Sequence, residues 1–393
     1  MKKWEKKKLG DVCGFVRGPF GGSLKKNIFK QNGYAVYEQQ HAIYDQFNNV
    51  RYFIDENKFN EMKRFELTPG DLIMSCSGTM GKIAIVPENI KKGIINQALL
   101  KLSPSKKVLN VFLKLWIQSE SFQDSLKKYS GGAAIQNVAS VAILKNIEIP
   151  LPPLLEQQRI VAILDEAFTA IAKAKANTEQ NLKNAKELFE SYLQRMFENK
   201  GESWEEKTLN EISENLDNKR VPITKNVRSE GLVPYYGASG IVDYVADYLF
   251  DEDLLCVSED GANLLARTYP IAFSIVGKTW VNNHAHVLRF KDMVTQKFVE
   301  LYLNSIKLND FVSGMAQPKL NQTMLNKIPI PFPPLKEQQA IVKKLDALSA
   351  ETKKLEAIYQ QKINDLEELK RSVLQKAFNG ELNTQKAMEY VSR

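Results

Sequence analysis

The chain has the size and composition of a globular protein with two or three domains. Of its 393 residues, 44% are apolar and 25% are charged, and the net charge is +8. No apolar run approaches the roughly 18 residues that a membrane span requires, and no apolar stretch follows the basic start of the chain, which argues against a secretory signal. Cys13, Cys76 and Cys256 are isolated thiols without disulfide or zinc-site spacing. We therefore expect a cytoplasmic protein with no metal site.

The positive charge is concentrated at the start of the chain. Residues 1–153 carry 23 Lys and Arg against 13 Asp and Glu, whereas residues 201–334 carry 13 against 17. Residues 154–200 are balanced at seven against seven. A basic surplus permits a polyanionic partner but does not identify one, so a merely solvated basic surface stays open at this point.

The first segment, residues 1–152, is predicted to be a mixed α/β domain. It holds short β-branched runs, such as 71–75 and 82–86, separated by turn clusters at 17–22 and 77–81. An amphipathic stretch at 108–118 predicts a helix within it. The many Gly-rich turns indicate long irregular loops.

A long helix is predicted over residues 153–200. Pro153 suits the first turn of a helix, where a missing N–H is harmless. From Ile160 to Met196, mainly apolar positions recur in steps of three and four, and no Pro or Gly interrupts them before Gly201. A stripe held for so many turns is typical of a coiled-coil seam, although two ordinary core helices in one domain are the alternative.

The pattern then repeats. Residues 201–333 predict a second α/β domain, residues 334–380 a second long helix, and residues 381–393 form a tail. Residues 147–165 and 328–346 are identical at 13 of 19 positions without a gap, which indicates an internal duplication.

Chain order then predicts the architecture. If the two apolar seams pair, the helices run antiparallel, with one domain at each end of the helical pair. We therefore expect duplicated mixed α/β (α+β) domains, separated by two long α-helices that form an antiparallel coiled coil with pseudo-two-fold symmetry.

The repeated segment Pro-Leu-Pro-Pro-Leu…Glu-Gln-Gln…Ile-Val resembles that of the specificity subunits of type I restriction–modification enzymes. Tyr-Tyr-Gly-Ala-Ser-Gly at 235–240 and Asn-Asn-His-Ala-His at 282–286 are similar to segments of many recognition domains in this family. The first domain departs from that pattern at 34–37 and 96–98. The resemblance covers essentially the whole chain.

The resemblance implies that the globular parts are target recognition domains and the helices are spacers. Together they would read a two-part site in double-stranded DNA with a fixed gap. It also implies docking of methyltransferase subunits, two of them, and of restriction/translocase subunits.

Candidate DNA contacts follow from the chemistry of base edges and phosphates. Arg and Lys suit guanine, Asn and Gln suit adenine, and hydroxyls, Lys and Gly-rich turns suit phosphates. The loops 130–137 and 313–319 match each other in the repeat. Gln136 and Gln317 occupy the same place in these two loops, so each of these side chains could equally hold its loop or bind phosphate. The candidates are Arg17, Lys25, Lys26, Ser77, Thr79, Lys82, Gln136, Asn137, Arg220, Tyr235, Tyr236, Lys278, Gln317 and Lys319.

No sequence motif indicates chemistry by this chain alone. Residues 272–279 resemble a phosphate-binding loop but lack its opening glycine, and no methyltransferase motif is present. His284 and His286 would share one face of a strand, yet no further ligands with metal-site spacing accompany them. We expect no cofactor and no catalytic residue, so that the chain is a non-catalytic subunit. A coiled-coil scaffold that binds proteins and an enzyme with an unrecognised site remain the alternatives.

Overall fold

The computed structural model describes residues 4–129, 140–314 and 316–382. The chain divides into two compact units, Met1–Asn177 with Lys362–Arg393, and Thr178–Gln361. The division falls inside both long helices, so each unit holds one globular domain and part of each helix. The division into two domains, two whole helices and a tail stays a prediction.

The first globular domain is built on a four-stranded antiparallel sheet with the order β2-β8-β5-β6. A three-stranded sheet, β4-β3-β7, and a two-stranded pair, β1-β9, accompany it. The strands are β1 (Lys6–Lys8), β2 (Cys13–Arg17), β3 (Tyr34–Tyr37), β4 (Tyr52–Ile54), β5 (Leu72–Ser75), β6 (Ile83–Ile85), β7 (Gly93–Ile95), β8 (Leu99–Pro104) and β9 (Glu148–Pro150). The helices are α1 (Leu9–Val12), α2 (Gln39–Tyr44), α3 (Glu56–Glu61), α4 (Asn110–Gln118), α5 (Glu120–Tyr129) and α6 (Val141–Asn146).

The second globular domain repeats this plan after the first long helix, α7 (Leu154–Glu198). Its four-stranded sheet has the order β11-β18-β15-β16, beside the sheet β13-β12-β17-β14 and the pair β10-β19. Its strands are β10 (Glu205–Thr208), β11 (Ser213–Asn215), β12 (Val233–Gly237), β13 (Gly240–Val245), β14 (Phe250–Asp251), β15 (Leu254–Ser258), β16 (Ala272–Ile275), β17 (Lys278–Val281), β18 (Ala285–Phe290) and β19 (Pro329–Phe332). Its helices are α8 (Leu209–Ile212), α9 (Asn263–Ala266), α10 (Met293–Ser305) and α11 (Gln322–Leu325), followed by the second long helix, α12 (Leu335–Phe378).

The two domains share topology as well as element order. β2 pairs with β8 as β11 pairs with β18, and the parallel pair β3–β7 corresponds to the parallel pair β12–β17. β1 and β9 close the first domain as β10 and β19 close the second. The expected duplication of mixed α/β domains is therefore confirmed, although the repeated segment covers only a small part of each domain.

The repeated Gln-Gln motif begins each long helix with a buried clamp. The Gln157 amide accepts a hydrogen bond from Leu109 N at 2.9 Å and donates to Lys107 O at 3.0 Å and Pro152 O at 2.9 Å. Gln338, the matching residue, donates to Pro333 O at 2.8 Å. Both side chains are buried. Gln157 thereby holds the start of α7 to the segment before α4, whereas the bond of Gln338 is local to the start of α12.

Within each unit the two long helices run antiparallel. In the first unit Lys175 Nζ lies 2.6 Å from Glu367 Oε1, and Lys370 covers the ring of Phe168. In the second unit Lys186 pairs with Glu356 at 3.8 Å, and Lys344 covers the ring of Tyr192. Because residue numbers rise on one helix as they fall on the other, the pairing agrees with the expected antiparallel arrangement.

The apolar seam departs from a strict seven-residue repeat. Leu188 lies on the predicted stripe of the first long helix, and Leu355 and Leu369 lie at the same three- and four-residue steps of the second, yet they are 68%, 41% and 47% exposed. Buried Thr352 and Ile363, by contrast, are eleven residues apart. A straight α-helix has 3.6 residues per turn, so a seven-residue pattern drifts off the contact face unless the helices supercoil.

Each unit has an apolar core that joins sheet and helix. In the first unit Ile160 and Leu164 of α7 share a core with Leu374 and Phe378 of α12. In the second, Leu193 of α7 and Leu345 of α12 pack with strands β15 and β18. Within the described residues, no helix combines the length and apolar character that crossing a membrane requires.

Candidate nucleic-acid interface

A Gly-containing turn follows the central strand of each four-stranded sheet. In the first domain the turn at 77–79 follows β5, and the Gln39 amide donates to the carbonyls of Ser77 and Thr79 at 2.5 and 3.4 Å. The side chains of Thr79 and Lys82 are exposed, and Ser77 is half-buried. Three of the predicted contacts therefore lie at or next to one turn, whose backbone is held by the side chain of Gln39.

The other predicted residues of the first domain have different surroundings. Arg17 ends β2, is half-buried and lies against the thiol of Cys76, where burial raises the pKa of Cys76 to about 11 although Arg17 acts in the opposite direction. Lys25 and Lys26 are exposed at a short 3-10 turn. Gln136 and Asn137 lie outside the described residues.

In the second domain the turn at 259–261, which follows β15, and the predicted loop 313–319 are neighbours. Gly261 N donates to Pro318 O at 3.0 Å, and Leu320 N donates to Glu259 O at 2.8 Å. Ser313 and Lys319 exchange two backbone hydrogen bonds, at 2.9 and 2.7 Å, that close the loop. Gln317 is exposed on this loop. The tip of the β12–β13 hairpin is also close, since Ser258 Oγ donates to Ala238 O at 2.5 Å.

A buried ionic cluster supports this region. Arg220 Nη1 donates to Glu259 Oε2 and to Ala285 O, both at 2.7 Å, and its other terminal nitrogen lies 3.4 Å from Asp217. Lys319 Nζ lies 3.2 Å from Glu259 Oε1. The hydrogen bonds of Arg220 are therefore made inside the domain, where it holds the carboxylate of Glu259 under the loop. Arg220 is not free to read a base.

His286 completes the cluster and ties it to the loop. Its Nδ1 lies 2.5 Å from Asp217 Oδ2, and its Nε2 lies 2.8 Å from Leu320 O. The ring of His286 therefore joins the carboxylate of Asp217 to the backbone of the loop, and Arg220 lies against the carboxylates of both Asp217 and Glu259.

The two carboxyl groups of the cluster titrate at lower pH than usual. Burial by itself would raise the pKa of Asp217, but the hydrogen bond and charge of His286, the N–H of Val287 and Arg220 outweigh it and lower that pKa. Burial would likewise raise the pKa of Glu259, but Arg220, His286 and Lys319 together outweigh it and lower that pKa. Asp217, Glu259 and His286 have the donor types of a metal site. The two carboxylates, however, are already engaged by Arg220, Lys319 and the N–H of Val287, and both ring nitrogens of His286 have partners within the protein.

His284 and His286 do not share an environment. β18 begins at Ala285, so His284 lies in the preceding turn, where its Nδ1 contacts Asp260 Oδ2 at 2.7 Å and half of the side chain is exposed. His286 is buried. The expectation that both rings lie on one face of a strand is therefore wrong, because alternation applies only inside the strand.

The remaining predicted residues of the second domain lie apart from the loop or in the core. Tyr235 is 1% exposed and its hydroxyl exchanges hydrogen bonds with Ile223, so its ring belongs to the core. Tyr236 is half-buried and stacks on Phe273. Lys278 covers the ring of Tyr248 at the opposite end of β17 from the Asn282 turn.

The corresponding place in the first domain is built differently. Backbone pairing aligns Arg17 with Asp217 and Leu100 with His286. Cys76 aligns with Glu259, because Cys76 N donates to Ala98 O and Glu259 N donates to His284 O, each at 2.9 Å. One fold thus presents an arginine and a thiol in one domain and an ionic cluster in the other. No local sequence signal could show this, because the aligned residues come from three separate strands.

The comparisons with known proteins identify the family of the chain. A model of the type I restriction modification DNA specificity domain matches residues 1–184 and again 201–368. The chain belongs to this family. The double match follows the duplication seen in the fold, and the resemblance inferred from the repeated motif is confirmed.

Individual specificity subunits are similar over part or nearly all of the chain. A putative MjaX specificity subunit of Methanocaldococcus jannaschii is 25% identical, with 96% of this chain and 93% of that protein aligned. A putative specificity subunit of Haemophilus influenzae, S.HindORF215P, is 38% identical over 162 residues, which span 41% of each chain. A chain solved in work on complex assembly and conformational transition of the type I R-M system has a TM-score of 0.78 at 19% identity, and the match covers 97% of this chain and 99% of that one. That likeness supports the fold.

Proposed function

We propose that this specificity-family protein reads a two-part site in double-stranded DNA, one half-site per globular domain, without catalysing a reaction itself. The observation that carries the proposal is the duplicated domain whose equivalent positions hold different side chains. Equivalent backbones would approach DNA alike, while the differing side chains would select different bases. Methylation and cleavage would come from partner subunits.

In the first domain the contacts we propose are Arg17, Lys25, Lys26 and the turn with Ser77, Thr79 and Lys82. The exposed lysines suit phosphates, and the basic surplus of residues 1–153 favours the approach of a polyanion. Gln136 and Asn137 remain proposed contacts from the sequence alone.

In the second domain the proposed contacts centre on the loop 313–319. Gln317 is exposed there, and Lys319 reaches the surface beside Glu259. Arg220 would act by positioning this loop. Tyr235, which the sequence predicts as a contact, is left out of this proposal because its ring is buried. Tyr236 and Lys278 would contribute only if DNA also reached the β12–β17 sheet.

The long helices are proposed to dock methyltransferase subunits, two per chain, together with restriction/translocase subunits. Each helix carries exposed apolar side chains that its own unit does not cover, among them Leu155 and Leu188 on α7 and Ile358 on α12, which are 60%, 68% and 51% exposed. Such residues on an otherwise charged helix favour a protein partner.

The experiment is DNA selection by the full chain reconstituted with its methyltransferase subunits. Enrichment of a two-part sequence with a constant gap from a random duplex pool is the expected result. A complex that binds all duplexes equally would instead favour a scaffold, and methylation by the chain without added subunits would favour an enzyme.

A pair of matched lysine variants tests the proposed phosphate contacts. Lys25→Ala with Lys26→Ala should weaken binding about equally on selected and unselected duplexes and lower the salt dependence by about two ions. Lys353→Ala with Lys354→Ala removes two exposed adjacent lysines from α12 and should leave both quantities unchanged. Equal losses in the two double variants would contradict the assignment.

A further inference from the structure

Phe20 is an aromatic side chain that the fold holds in solvent. Its ring is 92% exposed. Its backbone, in contrast, is fixed on both sides: Gly18 N donates to Leu99 O at 2.9 Å, Pro19 is buried, and Ser23 N donates to Phe20 O at 2.8 Å. A loop whose backbone is hydrogen-bonded to the fold while its ring is left in solvent is arranged for an external contact.

Gly18 is required for this arrangement. A Cβ at that position would lie 1.8 Å from the carbonyl oxygen of Asn96, so only glycine lets the loop press against the turn before β8. The loop and the turn at 96–98 are therefore one construction. That close approach brings the exposed side chain of Gln97 to the same place as Phe20.

A cleft of about 730 Å³ opens beside the ring of Phe20. Arg17, Arg64 and Lys145 line it together with Gln97. Its one carboxylate, Glu61, pairs with Lys58 at 2.8 Å. Across the described part of the chain, no ion pair joins Arg17, Arg64 or Lys145 to a carboxylate. The cleft thus combines an exposed aromatic ring, an amide and three cations.

We propose that this cleft binds one base step of duplex DNA, with the Phe20 ring packed against a partly unstacked base and with Arg17 and Gln97 on base edges. The inference rests on the proposed function and names the part of the first domain that reads sequence. Aromatic rings stack on any base, and apolar wedges unstack base steps when cations hold the backbone. Arginine pairs with guanine edges and glutamine with adenine edges. Arg64 and Lys145 are left for the phosphates.

The cations decide between DNA and a protein partner. A protein surface that covered Phe20 would have to neutralise three adjacent cations, whereas a DNA backbone supplies phosphates on both sides of a base step. The second domain lacks the arrangement, because Asp217 takes the place of Arg17 and, at the same offset, Arg220 takes the place of Phe20 and is held inside the ionic cluster. The base-stacking contact therefore belongs to one half-site only.

The test uses the full chain with its methyltransferase subunits and the duplex that this complex selects. Phe20→Ala should weaken binding at least tenfold, and it should abolish the fluorescence rise of 2-aminopurine placed in the first half-site. Gln97→Ala should relax the preference at one base pair of that half-site by fivefold or more. Leu232→Ala is the matched control, because Leu232 is also 92% exposed but lies in the second domain; its binding should stay within twofold of wild type.

Three results would overturn the inference. Phe20→Ala could bind within twofold of wild type, or Leu232→Ala could weaken binding equally, which would show a nonspecific effect of removing an exposed apolar group. Phe20→Ala could also lose the methyltransferase subunits during purification, which would make the ring a protein contact. If the wild-type complex selects no sequence, the proposed function itself fails and the inference fails with it. This outcome is seen in the wild-type complex and is therefore distinct from any effect of the variants.

Discussion

Single polar side chains in this protein hold segments together that are far apart in sequence. Gln157 joins the start of α7 to the segment before α4 through two hydrogen bonds, makes a third to Pro152 O, and is fully buried. Its neighbour Gln158 is exposed. The two adjacent glutamines of the repeated motif therefore have different roles.

Gln157→Ala should lower the free energy of unfolding by about 2–3 kcal/mol. The substitution leaves the N–H of the half-buried Leu109 and two carbonyls without this partner, and an unsatisfied buried group costs about 1–3 kcal/mol. Urea unfolding followed by circular dichroism measures the change. Gln158→Ala is the control and should cost less than about 0.5 kcal/mol; similar losses for both would show that the clamp is not what stabilises the helix start.

The ionic cluster makes the second domain sensitive to acid. The pKa values of Asp217 and Glu259 are lowered by folding, so their stabilising contribution is complete above their unfolded pKa values of about 4. It is lost as the pH falls below that range through the folded values. Stability should therefore drop steeply in this acidic window.

Asp217→Asn should be less stable than wild type at pH 7 and should lose less stability on acidification. One carboxylate fewer then has to be protonated, although the partners of Asp217 lose its charge. Urea unfolding at pH 7, 5, 4 and 3 provides the comparison. Asp310→Asn, at an exposed position, should keep the wild-type pH profile, and an unchanged profile in Asp217→Asn would count against the cluster.

At the scale of elements, the last turns of α12 belong to the core of the first domain. Phe378 is buried, and its ring meets Phe112 of α4 edge-on, with centroids 5.2 Å apart. Leu374 and Ala377 join the same core. The first domain is thus completed by residues that the chain supplies more than two hundred positions later.

Phe378→Ala should destabilise the first unit by about 3–4 kcal/mol, as expected for removing a buried phenylalanine. The measurement is urea unfolding, with limited proteolysis to show which unit opens first. Leu369→Ala, at an exposed position of the same helix, is the control and should change stability little. If cleavage began in the second domain, the assignment of this helix end to the first core would be wrong.

At the scale of the whole molecule, the helices are proposed to set the gap between the half-sites. Because Lys175 faces Glu367, the segments 171–177 and 365–371 lie opposite each other in the first unit. Removing both shortens the helical pair by one heptad, about 10 Å at 1.5 Å per residue, and keeps the remaining residues in register.

This double deletion should shorten the selected gap by about three base pairs, given 3.4 Å per base pair. Selection from a random duplex pool measures the gap directly. Deleting 171–177 alone is the control; it breaks the register and should lower stability without defining a new spacing. Selection of the original gap by the double deletion would show that the helices do not set the spacing.

Much of the architecture was predictable because it depends on patterns local to the chain. The 19-residue repeat showed the duplication, and the uninterrupted apolar stripe showed two helices of about 45 residues. A helix leaves such a signal because it depends on residues three and four positions apart. A duplication leaves one because the two copies can be compared within the same chain.

The environment of each candidate side chain was decided by tertiary structure. Tyr235 and Arg220 have the chemistry of DNA contacts, yet one is buried and the other is ion-paired, whereas Phe20, which its type would place in a core, is exposed. Burial and charge pairing depend on which strands and loops meet, and those partners lie tens to hundreds of residues away. The sequence by itself determined the repeated domain–helix plan of this protein; the packing of distant segments decided which of its side chains are free to act.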